Sequence, residues 1–169
     1  MIKHIGEQKK YEVVRIVPTI TGVTYANNDI LFDTTEIPGA VKSHGSASKL
    51  SSCQLISKST SVFDIQLMFF SVNQSMGTVN AARNPSDATF FAGKYLGRLQ
   101  LDGSADNYNY GNGRIFTFNE TATGFPKLPI MLKAEVGSTS VFCSAFLAGD
   151  DVTPSFSVGD IELIFGIEF

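Results

Sequence analysis

Tryptophan is absent from this sequence, and histidine and cysteine occur only twice each. His4 and His44 belong to no H-x-H or H-E-x-x-H pattern, and no Cys/His cluster is present. That leaves no recognisable ligand set for a structural or catalytic zinc. Cys53 and Cys143 form no C-x-x-C pair, and both fall in predicted strands. They read as buried free thiols, with a single disulfide as the other reading. Charge is scarce as well: charged residues are 17% of the chain, below the usual quarter. Such a surface is either partly covered by neighbours or dressed with Ser, Thr and Asn in place of charge, and both readings stay open. The net charge is −3, from 13 basic and 16 acidic residues, with no basic patch interleaved with aromatics. Direct binding to nucleic acid is not expected. No apolar run reaches the length of a membrane span. The opening MIKHIGEQKK lacks the apolar core of a signal peptide, so synthesis in a cytoplasm, without secretion by a cleaved signal, is expected.

What the chain does have is phenylalanine, 14 of them, and 15 glycines in 169 residues. That length suggests one domain, able to bury roughly 70% of its unfolded surface without a disulfide or metal. The longest strongly apolar stretch is Ser59 to Asn73, STSVFDIQLMFFSVN. At period two, Val62, Asp64, Gln66, Met68 and Phe70 share one face, and Phe63, Ile65, Leu67 and Phe69 share the other. One face is apolar throughout, and the opposite face turns apolar along its length. The pattern predicts a central strand covered on one side everywhere and on both sides toward its end.

Further strands are predicted over Tyr11–Ile20, Asp29–Phe32, Leu50–Lys58, Tyr95–Leu101, Arg114–Asn119, Ile130–Val136, Val141–Leu147 and Ser157–Phe169. Leu50–Lys58 is expected to pair with the stretch that follows it. Lys42–Lys49 and Asp102–Gly113 read as polar loops. Ser86-Asp87 is a helix-start signal, and one short helix is expected over Ala88–Lys94. Eight to nine short strands with almost no helix predict an all-β chain, a β-sandwich of jelly-roll type. Residues 1–10 form a polar N-terminal arm and 11–169 the single sandwich domain. Asp64–Phe69 (DIQLMF) is echoed by Asp160–Phe165 (DIELIF), as expected of two similarly patterned strands.

Catalytic motifs are weak. Ser46 and Lys49 give an S-x-x-K, but in a polar loop and without its companion motifs. Asp102, Ser104 and Asp106 have the first three spacings of a calcium loop; Asn107 and Gly113 then stand where Gly and Glu are needed. No cofactor is called for. The absence of convergent titratable groups points away from an enzyme. Tyr108 and Tyr110, set among Asn and Gly, suit an adaptable contact loop.

Several segments resemble small virion proteins of tailed, often marine, bacteriophages. These are Tyr25–Val41 (YANNDILFDTTEIPGAV), Leu50–Asn73, Ser75-Met76-Gly77-Thr78, Asn80-Ala81-Ala82 and Ser86-Asp87-Ala88. Lys133-Ala134, Gly137-Ser138-Thr139-Ser140 and the closing DIELIFG extend the resemblance over most of the chain. The arm and the 102–113 insert fall outside it. The resemblance implies a capsid decoration or cement protein on the outer capsid surface, a homotrimer whose partner is the major capsid protein. Contacts are expected at Lys3, His4, Ile5, Lys9, Lys10 and Tyr11 of the arm, and at Tyr108 and Tyr110. The alternative is a lectin-like or receptor-binding head of a phage fibre using the tyrosine loop.

Overall fold

A computed structural model describes residues 10–118, 128–148 and 153–169. Alternating burial builds ten strands: β1 (Tyr11–Ile16), β2 (Ile30–Ile37), β3 (Ala47–Ser57), β4 (Asp64–Phe70), β5 (Tyr95–Leu101), β6 (Asn107–Asn109), β7 (Arg114–Phe118), β8 (Ile130–Lys133), β9 (Val141–Ala148) and β10 (Ile161–Glu168). One helix, α1 (Asp87–Gly93), lies between β4 and β5. The strands make two antiparallel sheets. The first runs β1-β10-β3-β7-β6, with β8 also on β3, and the second runs β2-β9-β4-β5.

The pairing is nested. β1 pairs with β10, β2 with β9, β3 with β7 and β8, and β4 with β5. A single long hairpin folded over on itself gives this order, and it is the order of a jelly-roll sandwich. β7 and β8 share one strand position: Cys53–Ser57 of β3 take β7, and Ala47–Leu50 take β8. The tenth strand is β6, inside the segment read as a loop.

β4 sits between β9 and β5 as a central strand. Ile65, Leu67 and Phe69 face the core, while Asp64 and Gln66 on the other face are half-buried and Met68 and Phe70 are buried. The expected pairing of β3 with β4 does not occur, because the two lie in opposite sheets. Each strand has one strongly apolar face, and both faces are buried at once when they point at each other across the sandwich. Residues 58–63 make that crossing, and Phe63 is buried on the way.

The core is aromatic at its centre. Phe63 packs 4.8 Å from Phe116 and 5.1 Å, edge-on, from Phe156. A second, smaller cluster lies outside the second sheet, where Ile30, Met68, Phe70, Met76 and Phe146 pack with Phe90 and Phe142. The segment 71–93 roofs it. Asp33 of β2 fixes that roof, accepting from Met76 N–H (2.7 Å) and Ser75 Oγ–H (2.5 Å). α1 completes it one residue earlier than expected. Its N-cap is Ser86, whose Oγ accepts from Thr89 N–H at 3.3 Å, and it ends at Lys94 in the left-handed region, φ 51°. Cys53 and Cys143 are buried and free, as the sequence predicted.

Candidate interaction surfaces

The second sheet is roofed on its outer side; the first, among the described residues, is not. Outward positions of β1, β10, β3, β7 and β6 line up through the ladder register. One row is Arg15, Ile164, Gln54, Thr117; the next is Glu162, Ile56, Ile115, Tyr108. Val13 and Tyr11 continue the face at the β1 edge, opposite Gly166 and Glu168. Four inter-strand steps of about 4.8 Å make this face about 19 Å wide. Charge on it is paired: Arg15 Nη1 meets Glu162 Oε1 at 2.9 Å, and Lys49 Nζ meets Glu168 Oε2 at 2.6 Å. What remains between these pairs is aliphatic and small polar. Tyr11 is 61% exposed, Val13 66% and Tyr108 68%.

The predicted contact residues divide accordingly. Tyr11 and Tyr108, from segments almost a hundred positions apart, lie on this one face at its opposite edges. Lys10 turns back, its ammonium 5.9 Å above the Phe169 ring, while its carbonyl accepts from Phe169 N–H at 3.0 Å. Tyr110 is tied down: its hydroxyl donates to the Ser57 carbonyl at 3.2 Å. Lys3, His4, Ile5 and Lys9 lie outside the described residues. The sequence reading missed Val13, Ile56, Ile115 and Ile164. The signal was available in β10, where Ile164 interrupts the otherwise polar or small outward set Glu162, Gly166, Glu168.

The 102–113 segment is organised by carboxylates, its own Asp102 and Asp64 of β4. Asp102 Oδ1 accepts from Ser104 N–H (2.8 Å), Ser104 Oγ–H (2.6 Å) and Ala105 N–H (3.2 Å). The Ser104 bonds hold its carboxyl below the usual carboxylate range. Asp64 Oδ1 accepts from Gly103 N–H at 2.7 Å. Burial pushes the Asp64 carboxyl up; the Gly103 bond opposes this, and the negative charges of Asp102 and Asp106 add to it. These oxygens close a turn. Among the described residues no group of three or more His, Cys, Asp or Glu side chains is arranged to hold a metal.

The S-x-x-K pair is likewise dispersed. Ser46 Oγ donates to the Ser43 carbonyl at 2.7 Å, while Lys49 is engaged by Glu168. His44 is exposed in the same loop. On the opposite side of the molecule, a shallow cleft of about 250 Å³ lies between the second sheet and α1, lined by Met68, Arg83, Phe90 and Phe146 among others. Arg83 crosses it, donating from Nη1 to Gln66 Oε1 (2.9 Å) with its guanidinium 5.6 Å above the Phe146 ring.

No known family model matches the chain, and neither does any curated protein.

Proposed function

We propose that this chain is a virion structural protein of a tailed bacteriophage, a capsid decoration or cement protein that binds the assembled head shell and stabilises it. The observation that carries the reading is the asymmetry of the sandwich. One sheet is roofed on its outer side by residues 71–93, whereas the other presents the exposed Val13 and Tyr108 and the half-buried Ile56, Ile115 and Ile164 on a face whose charges are already paired. A sheet face of this kind suits permanent contact with neighbouring subunits. The role requires no catalysis and no cofactor, nor contact with nucleic acid or membrane. Its partners are the major capsid protein and further copies of the chain, as a homotrimer, after synthesis in the host cytoplasm. Binding the shell and not its unassembled subunits stabilises the shell by mass action.

The test is binding of purified chain to assembled shells that lack it. Ile164→Lys and Ile115→Lys place charge in the middle of the face without touching the core. Each is expected to lower occupancy strongly while leaving the melting transition in place. Undiminished occupancy would overturn the reading of this face.

A further inference from the structure

Among the described residues five strands lie at the edges of the two sheets, β1, β6 and the four-residue β8 of the first and β2 and β5 of the second, and they are not equally protected. β2 is broken by two register irregularities, between Ile30 and Phe32 and between Phe32 and Thr35. β5 carries a glycine, Gly97, where a β-carbon would press on Ile130 of β8 at 3.1 Å. β6 is three residues long. Interruptions, short length, coverage and charge are the usual defences of a sheet edge against another strand. Of these β1 has only charge, Glu12 and Arg15. It pairs with β10 without a shift over six residues, from Tyr11↔Glu168 to Ile16↔Leu163. It contains neither glycine nor proline, and Tyr11, Glu12, Val13 and Arg15 are exposed. Among the described residues its other edge pairs with nothing.

The sequence of β1, YEVVRI, is complementary to itself. A two-fold axis normal to the sheet keeps both outer faces on the same side. Residues facing each other across the axis must then share parity. Centring the axis on Glu12 or Arg15 sets like charges opposite each other, which is unfavourable. Centring it on Val14 sets Glu12 against the buried Ile16 and Arg15 against Val13. Centring it on Val13 sets Val13 against its own copy and Arg15 against Tyr11 on the outer face, with Glu12 against Val14 beneath. That register joins Val13 to Val13, lays two guanidinium groups against two tyrosine rings, and sets the exposed Glu12 against the half-buried Val14 and not against a buried Ile16.

We propose that a second copy of this chain adds to the free edge of β1 by antiparallel strand pairing centred on Val13, fusing the two first sheets into one continuous sheet. The main-chain groups of the edge supply the bonds, and the Val13 and Tyr11–Arg15 pairs set the register. Such a contact uses the same patch on both partners and closes as a dimer. The homotrimer proposed above needs a different, head-to-tail surface, so the mass in solution decides between the two. The pairing requires nothing of the shell, so its failure would leave the decoration reading standing, and the reverse holds too.

The test uses the purified full chain in solution. Light scattering behind a sizing column across a concentration series should give a mass rising toward twice the 18.3 kDa of one chain. Val13→Lys should return the single-chain mass at every concentration while keeping the wild-type melting transition. Register is read with single cysteines under mild oxidation, since Cys53 and Cys143 are buried. Val13→Cys should cross-link well ahead of Tyr11→Cys and Val14→Cys, because only position 13 faces its own copy. A single-chain mass throughout the series, a trimer untouched by Val13→Lys, or cross-linking at position 14 as fast as at 13 would each overturn the proposal.

Discussion

Phe69 of β4 and Phe165 of β10 meet edge to face across the sandwich, ring centroids 6.0 Å apart and planes at 75°. They are the last residues of the two matching hexapeptides, DIQLMF and DIELIF. The echo in the sequence is therefore a contact in the fold: each copy is a central strand of its own sheet, and their final aromatics touch at the core. Both rings are fully buried. Either Phe→Ala change should destabilise by about 3–5 kcal/mol. The double variant should fall short of the sum by about 0.5–1.5 kcal/mol, the size of an aromatic pair. Denaturant unfolding of the four proteins measures this.

Two carboxylates at the 102–113 segment, Asp102 within it and Asp64 of β4 beside it, give opposite pH signatures. Asp64 has its pKa raised, mainly by burial, so its ionised form is disfavoured in the folded state. Its contribution to stability is present in acid and lost as pH rises through the folded value. Asp102 has its pKa lowered by the Ser104 bonds, so its contribution is present above the unfolded value and lost as pH falls through the folded one. Asp64→Asn should therefore gain on the wild type between acid and neutral pH. Asp102→Ala should lose stability at neutral pH, with the deficit shrinking in acid. Melting temperatures over a pH series read both slopes.

Tyr108 and Tyr110 should separate under mutation. Tyr110→Phe removes the bond to the Ser57 carbonyl and should cost about 0.5–1.5 kcal/mol. Tyr108→Ala should leave stability unchanged and weaken surface binding. A glycan array should show no sugar preference for the wild type. Sugar binding lost with Tyr108→Ala would favour the fibre-head alternative.

Thiol reagents offer a check on the core. Burial raises the pKa of Cys53, with the charge of Cys143 adding to it, and burial also raises that of Cys143. Neither should react with a disulfide reagent in the native protein, and both should react on unfolding. Rapid native labelling of either would contradict the packing described.

Strand faces were legible where burial is intrinsic to the segment. β4 shows its change from half-covered to fully covered in the switch from Asp64 and Gln66 to Met68 and Phe70. The Ser86 cap could be read because its hydroxyl acts on a neighbour three residues away. Partnership was not legible. β3 and β4 adjoin in sequence, and period two cannot say whether adjacent apolar strands pair edge to edge or pack face to face. The outward Ile164 of β10 and Met68 of β4 look alike as letters. They differ only because residues 71–93 fold over one sheet and not the other. Tyr108 and Tyr110 share a parity, and it took the turn that brings Ser57 to the Tyr110 hydroxyl to tell anchor from contact.

Removal of residues 1–10 bears on the arm. The deletion takes away the Lys10–Phe169 contact but none of β1. It should leave the melting transition nearly unchanged and reduce attachment to shells. Full occupancy on shells would show that the arm is no anchor.

The most direct measurement is the copy number of this chain on purified particles, by quantitative mass spectrometry against the major capsid protein. A decoration protein should be present in a fixed, high ratio to the shell subunit and remain with heads when tails are removed. A few copies per particle, recovered with tails or fibres, would contradict the assignment.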